Sequence, residues 1–566
     1  MKLKQRWRME IAGDEIQSQA MDHHGLVAAV CRDLGLQEKL DAKLGAPDAR
    51  RVVSAGTAVV AMILNGLGFT NRRLYLTAQF FANKPVEKLL GPGVRAEALT
   101  AHTLGQALDE IAAYGSSALF AEVAFEIAHS EGLLHRHAHL DSTSFSVHGQ
   151  YDQGDEAQVI ELRHGHSKDH RPDLKQVVLS LVVNGPSAMP LWMEVLDGNS
   201  SDKTSFHQSI ARVEQFQRQV DLETPFKWIA DSALYSQDKL LARNDYEWLT
   251  RVPETLTAAK ALVQTPDEQI AWIDQPKGCR IADFESDYGG VEQRWLLVYS
   301  EQAYRREKAT LERKLAQHDE QLGKALWHLG HQVFGCEADA TKALQAMRKK
   351  YPLFVIDARV EPIAKHTRRG RPLAGAARLI TGYRVVSEYR RDEPALARQL
   401  NAKGRFILAT NLLDQQAYPN EAMLADYKDQ QHAERGFRFL KDPWFMVDSI
   451  FLKSPRRIEA LMMVMTFCLL VYNLAQYRLR ETLKAQNETL PNQLNTPVQN
   501  PTMRWIFQLL EGISIVRIVI DPSQGLVKEI ITNFSALRQK IVRFFGDTAC
   551  RIYGLIPEKP ANVLRM

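Results

Sequence analysis

HAHLDSTSFSV, His137 to Val147, is the stretch on which the fold turns. It is β-rich and carries one acid, Asp141, near its middle. Two more β-rich segments come after it, KQVVLSLVVN (Lys175–Asn184) and MPLWMEVLDGN (Met189–Asn199), joined by turn residues, so three strands are expected in succession. Asp202 to Gln219 then reads as a helix capped by Ser201 or Asp202. FKWIADSALYS (Phe226–Ser236) is a fourth strand ending in a turn, Gln237–Asn244 a short helix, and YEWLTRV (Tyr246–Val252) a fifth strand.

The order βββαβαβ is that of a ribonuclease-H-like mixed sheet, in which the first and fourth strands lie side by side. Asp141 sits within the first strand and Asp231 at the end of the fourth, so strands about 4.8 Å apart would hold both carboxylates over one spot. Two carboxylates that close repel, and a divalent cation is the usual remedy. A third acid must come from an element laid on the same strands. DYKDQQHAERGFRFLKDP (Asp426–Pro443) offers one, just before the most apolar run of the chain. Read as one helix over Tyr427–Lys441, it places Tyr427, Gln430, Glu434 and Lys441 within an arc of roughly 60°. Such a face suits phosphodiester chemistry, the acid completing a two-metal site while Lys441, Arg435 and Arg438 hold phosphates. A solvated face with Glu434–Arg438 pairing is the plain alternative.

The remainder of the chain bounds the reading. Its 566 residues carry 71 Lys plus Arg against 67 Asp plus Glu, so net charge alone names no partner. Five scattered cysteines form no CxxC spacing, which argues against a disulfide framework or a zinc site and for a reducing, cytoplasmic compartment. The first residues lack a signal-peptide core, and Ala460–Tyr472 is a buried helix too short to span a bilayer. No membrane partner is expected.

Residues 25–130 show helical spacing. Within them Ala61–Phe81 reads as helix, Gly-containing turn and helix, with Thr70 or Asn71 as N-cap and Arg72 and Arg73 in the next turn. It is either a helix-turn-helix facing DNA or an ordinary helical hairpin. Pro253 to about Gly404 reads as an insertion into the core, with strands at Arg280–Glu285 and Arg294–Ser300 and a long helix or hairpin over Glu301–Leu329. GRFILATNLL (Gly404–Leu413) is a further strand, and either it or Tyr246–Val252 is the fifth core strand. From Glu361 to Arg384 six Lys or Arg face one acid, and Arg369-Gly370-Arg371-Pro372 is either a minor-groove-reading extended segment or a flexible loop. The histidines around the first strands (His135, His137, His139, His148, His164, His166, His170) have HxH spacing but lack a clear third ligand, so no metal role is assigned to them. His148, His166, Lys168, Arg171 and Lys175 are placed near a DNA backbone, because the hairpin joining the first two strands borders the site. Asp197 and Asp202 are assigned turn and cap roles.

The pattern Tyr-x2-Arg-x3-Glu-x6-Lys, matched by Tyr427, Glu434 and Lys441 with Gln430 in place of the Arg, resembles the signature of a large group of bacterial insertion-sequence DDE transposases. The likeness extends to LDSTSFSV around Asp141, GHSKDHRPDLKQ (Gly165–Gln176), LDGNSSD (Leu196–Asp202), IADSALYS around Asp231, ERGFRFLKDPWF (Glu434–Phe445), SPRRIEALMMVMTFCLLVYNLAQ (Ser454–Gln476) and RWIFQLLEGI (Arg504–Ile513). It covers most of residues 137–520.

The resemblance implies that Asp141, Asp231 and Glu434 are the catalytic, metal-holding triad, with two Mg²⁺ ions for which Mn²⁺ substitutes. It implies cleavage at transposon ends and joining of the 3′-OH to target DNA. Double-stranded DNA is then the partner, a homodimer the synaptic form, and Tyr427, Gln430, Arg435, Arg438, Lys441, Lys168, Arg171, Lys175, Arg369 and Arg371 are DNA contacts. The group also stacks a displaced base on an aromatic of the insertion, for which Trp272, Trp295 and Trp327 are candidates. The expected partition is a helical N-terminal domain (1–134), a first core part (135–252), the insertion (253–403), a second core part with the Glu helix (404–480) and a helical C-terminal region (481–566). Two rival expectations are a domesticated relative that binds DNA without cutting, and a ribonuclease-H-like nuclease without strand transfer.

Overall fold

The computed structural model describes residues 16–45, 51–70, 74–149, 160–167, 171–220, 225–237, 240, 245–366, 378–442, 452–521 and 526–557. The chain divides into two compact units, one of Met1–Ser236, Asp245–Glu247 and Asp426–Met566, the other of Gln237–Asn244 and Trp248–Ala425.

The first unit holds strands β1 (Ile16–Ala20), β2 (His137–Ser146), β3 (Gln176–Asn184), β4 (Met189–Leu196) and β5 (Lys227–Ala230). In the order β4-β3-β2-β5, the first two pairings are antiparallel and β2 runs parallel to β5. This is the mixed, ribonuclease-H-like arrangement, and the helix Asp202–Gln219 lies between β4 and β5 in the chain, as a crossover to a parallel strand requires. Strand β5 ends after four residues because Asp231 turns the chain: its Oδ1 accepts from Ala233 N at 2.9 Å and caps the short 3₁₀ turn Ser232–Leu234. Glu247 O accepts from Trp228 N, so the segment leading out of this unit begins beside β5. Residues 238–239 and 241–244 of the expected short helix lie outside the described residues.

The core of this unit is the helix Pro455–Ala485, apolar around most of its circumference and therefore stable only when enclosed. It is long and apolar enough to cross a membrane, but 83% of its most apolar window is buried inside the protein. The N-terminal helices Ala55–Gly66, Ala101–Tyr114 and Ser116–Ser130 pack on it. Phe120 meets Phe467 at 4.7 Å, and Arg457 grips Asp109 through two hydrogen bonds of 2.7 and 2.6 Å. Truncating Phe467 to Ala would cost about 3–5 kcal/mol, the usual loss for a fully enclosed aromatic.

Neither alternative read over Ala61–Phe81, a helix-turn-helix facing DNA or an ordinary helical hairpin, forms with a full second helix among the described residues. Ala55–Gly66 is buried at every residue, and the chain then turns through Gly68 and a left-handed Phe69 (φ 50°). A Cβ on Gly68 would sit 2.8 Å from the Phe80 ring, so only glycine permits that approach. A 3₁₀ turn, Leu74–Leu76, leads into a helix of only five residues, Thr77–Phe81, whose Thr77, Phe80 and Phe81 are buried. An element so short and inward-facing offers no exposed recognition helix. Asn71, Arg72 and Arg73 lie outside the described residues.

The second unit contains β6 (Trp248–Arg251), β7 (Ile273–Gln275), β8 (Cys279–Ser286), β9 (Gln293–Ser300), β10 (Phe354–His366), β11 (Arg378–Arg391) and β12 (Arg405–Thr410). Strands β6-β12-β9-β8-β7 pair antiparallel in that order, so the two rival fifth strands are neighbours, Leu408 opposite Arg251. The long helix is continuous over Glu301–His331. Its Leu311, Leu315, Leu322 and Leu326 are buried in a cluster with residues of the helix Glu337–Lys350 and of the β10–β11 hairpin.

The C-terminal region, expected to be helical, also carries strands: β13 (Leu490–Pro491) with β14 (Pro497–Val498), and the hairpin of β15 (Ser514–Asp521) and β16 (Leu526–Thr532). Strand β1 adds to the edge of β15, Ile16 opposite Ile518, so the N- and C-terminal regions belong to one compact unit. Ile506, Leu510, Ile513 and Ile515 are at most 1% exposed and serve the core.

Candidate active site

Parallel pairing of β2 and β5 matches His137 with Lys227 and Leu140 with Ala230. Asp141 follows Leu140 on β2, and Asp231 follows Ala230 just past the end of β5 with an extended backbone (φ −73°, ψ −174°). Side chains in register on parallel strands about 4.8 Å apart point to the same face, and the β2–β5 register carries Asp141 and Asp231 to the same end of that pair. Each binds the backbone through one oxygen: Asp141 Oδ1 accepts from Ser142 N at 2.7 Å, and Asp231 Oδ1 from Ala233 N at 2.9 Å.

The element carrying Glu434 is not one helix. Asn420–Asp429 and Gln431–Leu440 are separate helices, and at their join the ladder tightens to i→i+3 bonds, Gln430 N to Tyr427 O and Ala433 N to Gln430 O. The expected common face is therefore broken. Tyr427 is half-buried on the first helix, Gln430 is buried in the join, and Glu434 is exposed on the second helix. Gln430 Oε1 is buried without a hydrogen-bond partner among the described residues.

Two contacts fix the segment Asp426–Lys441 on β2. At one end the buried Asp426 receives a hydrogen bond from Lys227 Nζ at 2.7 Å and lies 3.2 Å from His137 Nδ1. One carboxylate thus staples β2 to β5 at the register pair four residues before Asp141 and Asp231. Burial lowers both the His137 and the Lys227 pKa from their ordinary values, and Asp426 opposes both shifts. At the other end Lys441 Nζ lies 5.4 Å from the centre of the Phe145 ring. His137, Asp141 and Phe145 share one face of β2, being four residues apart.

Asp141 is midway between His137 and Phe145, and Glu434 is midway, to within half a residue, between Asp426 and Lys441. The packing stripe Ala433, Gly436, Phe437 and Leu440 is buried, and Gly436 lets the helix approach Leu469 of the core helix, where a Cβ would sit 3.0 Å away. Glu434 stands off that stripe. Among the described residues no three of His, Cys, Asp and Glu gather closely enough to hold a metal ion, so in this conformation Glu434 does not complete a ligand cluster with the Asp pair. The all-carboxylate donor set suits a hard divalent cation, and two of its three members are adjacent in register.

The other expected contacts divide. Arg435 and Arg438 are exposed on the Glu434 helix, Arg435 bonding only the Gln431 amide among the described residues. Arg171 is taken up by Asp173 in a two-pronged pair of 2.9 and 2.7 Å, because the acid two residues on reaches it first. Lys175 is half-buried just before β3. Lys168, Arg369 and Arg371 lie outside the described residues. Arg384, from the same basic cluster as the last two, is paired with Glu361 across the β10–β11 hairpin at 3.0 Å. Asp197 anchors a loop by accepting from Glu161 N at 2.8 Å. Of the three tryptophans, Trp295 is buried against Gln293, Trp272 bonds Asp267 and lies under Arg280, and Trp327 is 61% exposed.

The residue that sequence reasoning missed is Asp426. It immediately precedes Tyr427 and comes shortly after the buried Met423 and Leu424, which was the available signal that an acid there faces inward.

Residues 133–474 match the family model described as "Transposase DDE domain", and residues 16–125 match "Domain of unknown function (DUF4277)". Among solved structures the chain is similar to the piggyBac transposase of a cryo-EM synaptic complex with hairpin DNA, at 7% identity over 88% of this chain and 82% of that one, with a TM-score of 0.36. No curated protein matches the chain.

Proposed function

Because the chain belongs to the transposase DDE domain family, we propose that it cuts DNA at the ends of a mobile element and joins the freed 3′-OH to target DNA. We assign Asp141, Asp231 and Glu434 as its catalytic carboxylates. The observation that supports this reading is the anchoring of the segment carrying Glu434 on the strand that carries Asp141, through Asp426 to His137 at one end and Lys441 to Phe145 at the other. The subgroup reading, with Tyr427, Glu434 and Lys441 as signature residues and Gln430 at the Arg position, rests on the sequence pattern.

Divalent metal ions bound there would supply an activated water and then an activated 3′-OH for in-line attack on phosphorus. Asp141 and Asp231 form the fixed part of the site, their backbone bonds orienting each carboxylate before substrate arrives. Glu434 approaches from the helix, and the break at Gln430 is the joint at which that helix can settle onto the strand pair. In this reading Lys441 neutralises a phosphate oxygen as charge builds.

Asp141→Asn, Asp231→Asn and Glu434→Gln should each abolish Mg²⁺-dependent nicking of terminal-repeat DNA while duplex binding persists. Joining of a pre-cut 3′ end to a plasmid separates a transposase from a simple nuclease. A Glu434→Gln chain that nicks at the wild-type rate overturns the assignment.

A further inference from the structure

Beside the Glu434 helix, three helices frame a cleft. They are Gln431–Leu440, the core helix Pro455–Ala485 and Met503–Leu509, and the cleft has a volume of about 490 Å³. Five cations line it, Arg435, Arg438, Arg480, Lys484 and Arg504, against two acids, Asp442 and Glu481. The acids are spent locally: Asp442 pairs with Arg504, and Glu481 with Lys484 at 2.7 Å. Arg435, Arg438 and Arg480 have no carboxylate within ion-pair distance among the described residues.

Arg480 is the telling member. It is half-buried, and its Nε and one terminal nitrogen donate to Pro501 O at 3.0 Å and Asn500 O at 3.2 Å. A guanidinium has five N–H donors, so these two bonds fix its plane and leave others over. Burial and the nearby Arg435 both disfavour its charge, and only the Tyr472 side chain opposes them. Arg435 and Arg438, three residues apart on one helix face, reach the same cleft from the other wall. A concave surface that collects uncompensated guanidinium groups focuses its field on an anion carrying several charges. Planar guanidinium forks match phosphate oxygens two at a time.

We propose that this cleft binds the sugar–phosphate backbone of duplex DNA, with Arg435, Arg438 and Arg480 each taking a phosphate. The site deepens the functional reading above and rests on it. DNA held here is delivered to a helix whose Glu434 directly precedes Arg435, so the cleft tracks the strand flanking the cut rather than the scissile phosphate itself.

The test uses the full chain in EDTA, where no cutting occurs, with a short fluorescein-labelled duplex of arbitrary sequence followed by anisotropy across a salt series. Replacing Arg435, Arg438 and Arg480 together by Gln should weaken binding at least about tenfold. The slope of log affinity against log salt should fall by about two to three, near 0.9 per lost phosphate contact. The matching triple Lys variant should retain the slope. Should the Arg480→Gln change perturb folding, seen as a lowered thermal midpoint, the pair Arg435→Gln/Arg438→Gln alone should reduce the slope by about two. An unchanged slope in either Gln variant overturns the cleft, as does competition by millimolar inorganic phosphate as effective as that of unlabelled duplex, which marks a small-anion site. The parent reading fails separately: wild type that binds with the full slope yet never nicks in Mg²⁺ refutes the transposase chemistry and leaves the cleft standing.

Discussion

The strand-borne and helix-borne halves of the candidate site are held by different forces. Asp141 and Asp231 are fixed by backbone: the β2–β5 ladder sets their register, and each carboxylate is tied to a main-chain N–H beside it. Glu434 is fixed by side chains, through the Asp426 staple at one end and the Lys441–Phe145 contact at the other, with a break in the helix between. Backbone ladders are insensitive to single substitutions, whereas a side-chain staple fails when one member is changed. The strand half should therefore be rigid and preformed, and the helix half should be the part that mutation and substrate can move.

The largest effect expected is common to both halves. Removing the charge of Asp141, Asp231 or Glu434 withdraws several kcal/mol of transition-state stabilisation, a rate loss of about a thousandfold or more in single-turnover nicking. Folding should be untouched in all three, since none is enclosed in the core. If the Asp variants lose activity and Glu434→Gln does not, only the strand half is catalytic.

Next comes the staple. Asp426→Asn removes the carboxylate that bonds the largely enclosed Lys227 ammonium, at a cost of about 3 kcal/mol in urea unfolding. The double change Lys227→Met/Asp426→Leu should recover most of that stability, because matched apolar groups replace a buried ion pair at little cost. Its nicking rate should stay low, because the helix pair has lost an anchor. Recovery of both stability and rate would show that Asp426 serves the fold alone.

A change of pH rather than of sequence separates the site from its scaffold. In the N-terminal region His23 and His24 stack at 4.5 Å in the core, and burial pushes His23 down to about 4 and His24 well below the ordinary 6.5. A depressed imidazole pKa means that the unfolded chain takes up protons first as pH falls. Stability is then complete above pH 6.5 and is lost between 6.5 and about 4, by about 1.4 kcal/mol per pH unit for each histidine. His137 in the staple shifts in the same direction and adds to the slope. Urea midpoints at pH 7.5, 6 and 5 check this, and a flat profile contradicts it.

The smallest effect concerns the joint. Gln430 Oε1 has no partner among the described residues, so Gln430→Met should be neutral or stabilising by up to about 1 kcal/mol. A loss above about 2 kcal/mol in thermal unfolding would show that the amide is bonded in solution.

These two halves also differ in how readily the sequence reveals them. The strand order around Asp141 and Asp231 was legible because β-rich runs were separated by turn residues, and the register came from the topology. The helix half was only partly legible. Placing four side chains at 100° per residue assumes an unbroken helix, and the i→i+3 tightening at Gln430 depends on the surface against which the segment packs. Asp426 escaped notice because its role is tertiary, its partner Lys227 lying 199 residues away. The β1–β15 pairing was hidden for the same reason: IQSQA has no strong alternation, and its partner lies at the other end of the chain.

Metal-directed cleavage of the polypeptide is the most direct test of whether the halves meet. With Fe²⁺ in place of Mg²⁺, ascorbate and peroxide cut the backbone beside the ion. On the DNA-bound chain the account predicts fragments ending near residues 141, 231 and 434 together, all suppressed by excess Mg²⁺. Cuts near 141 and 231 without one near 434, or no Mg²⁺-sensitive cuts at all, would contradict it.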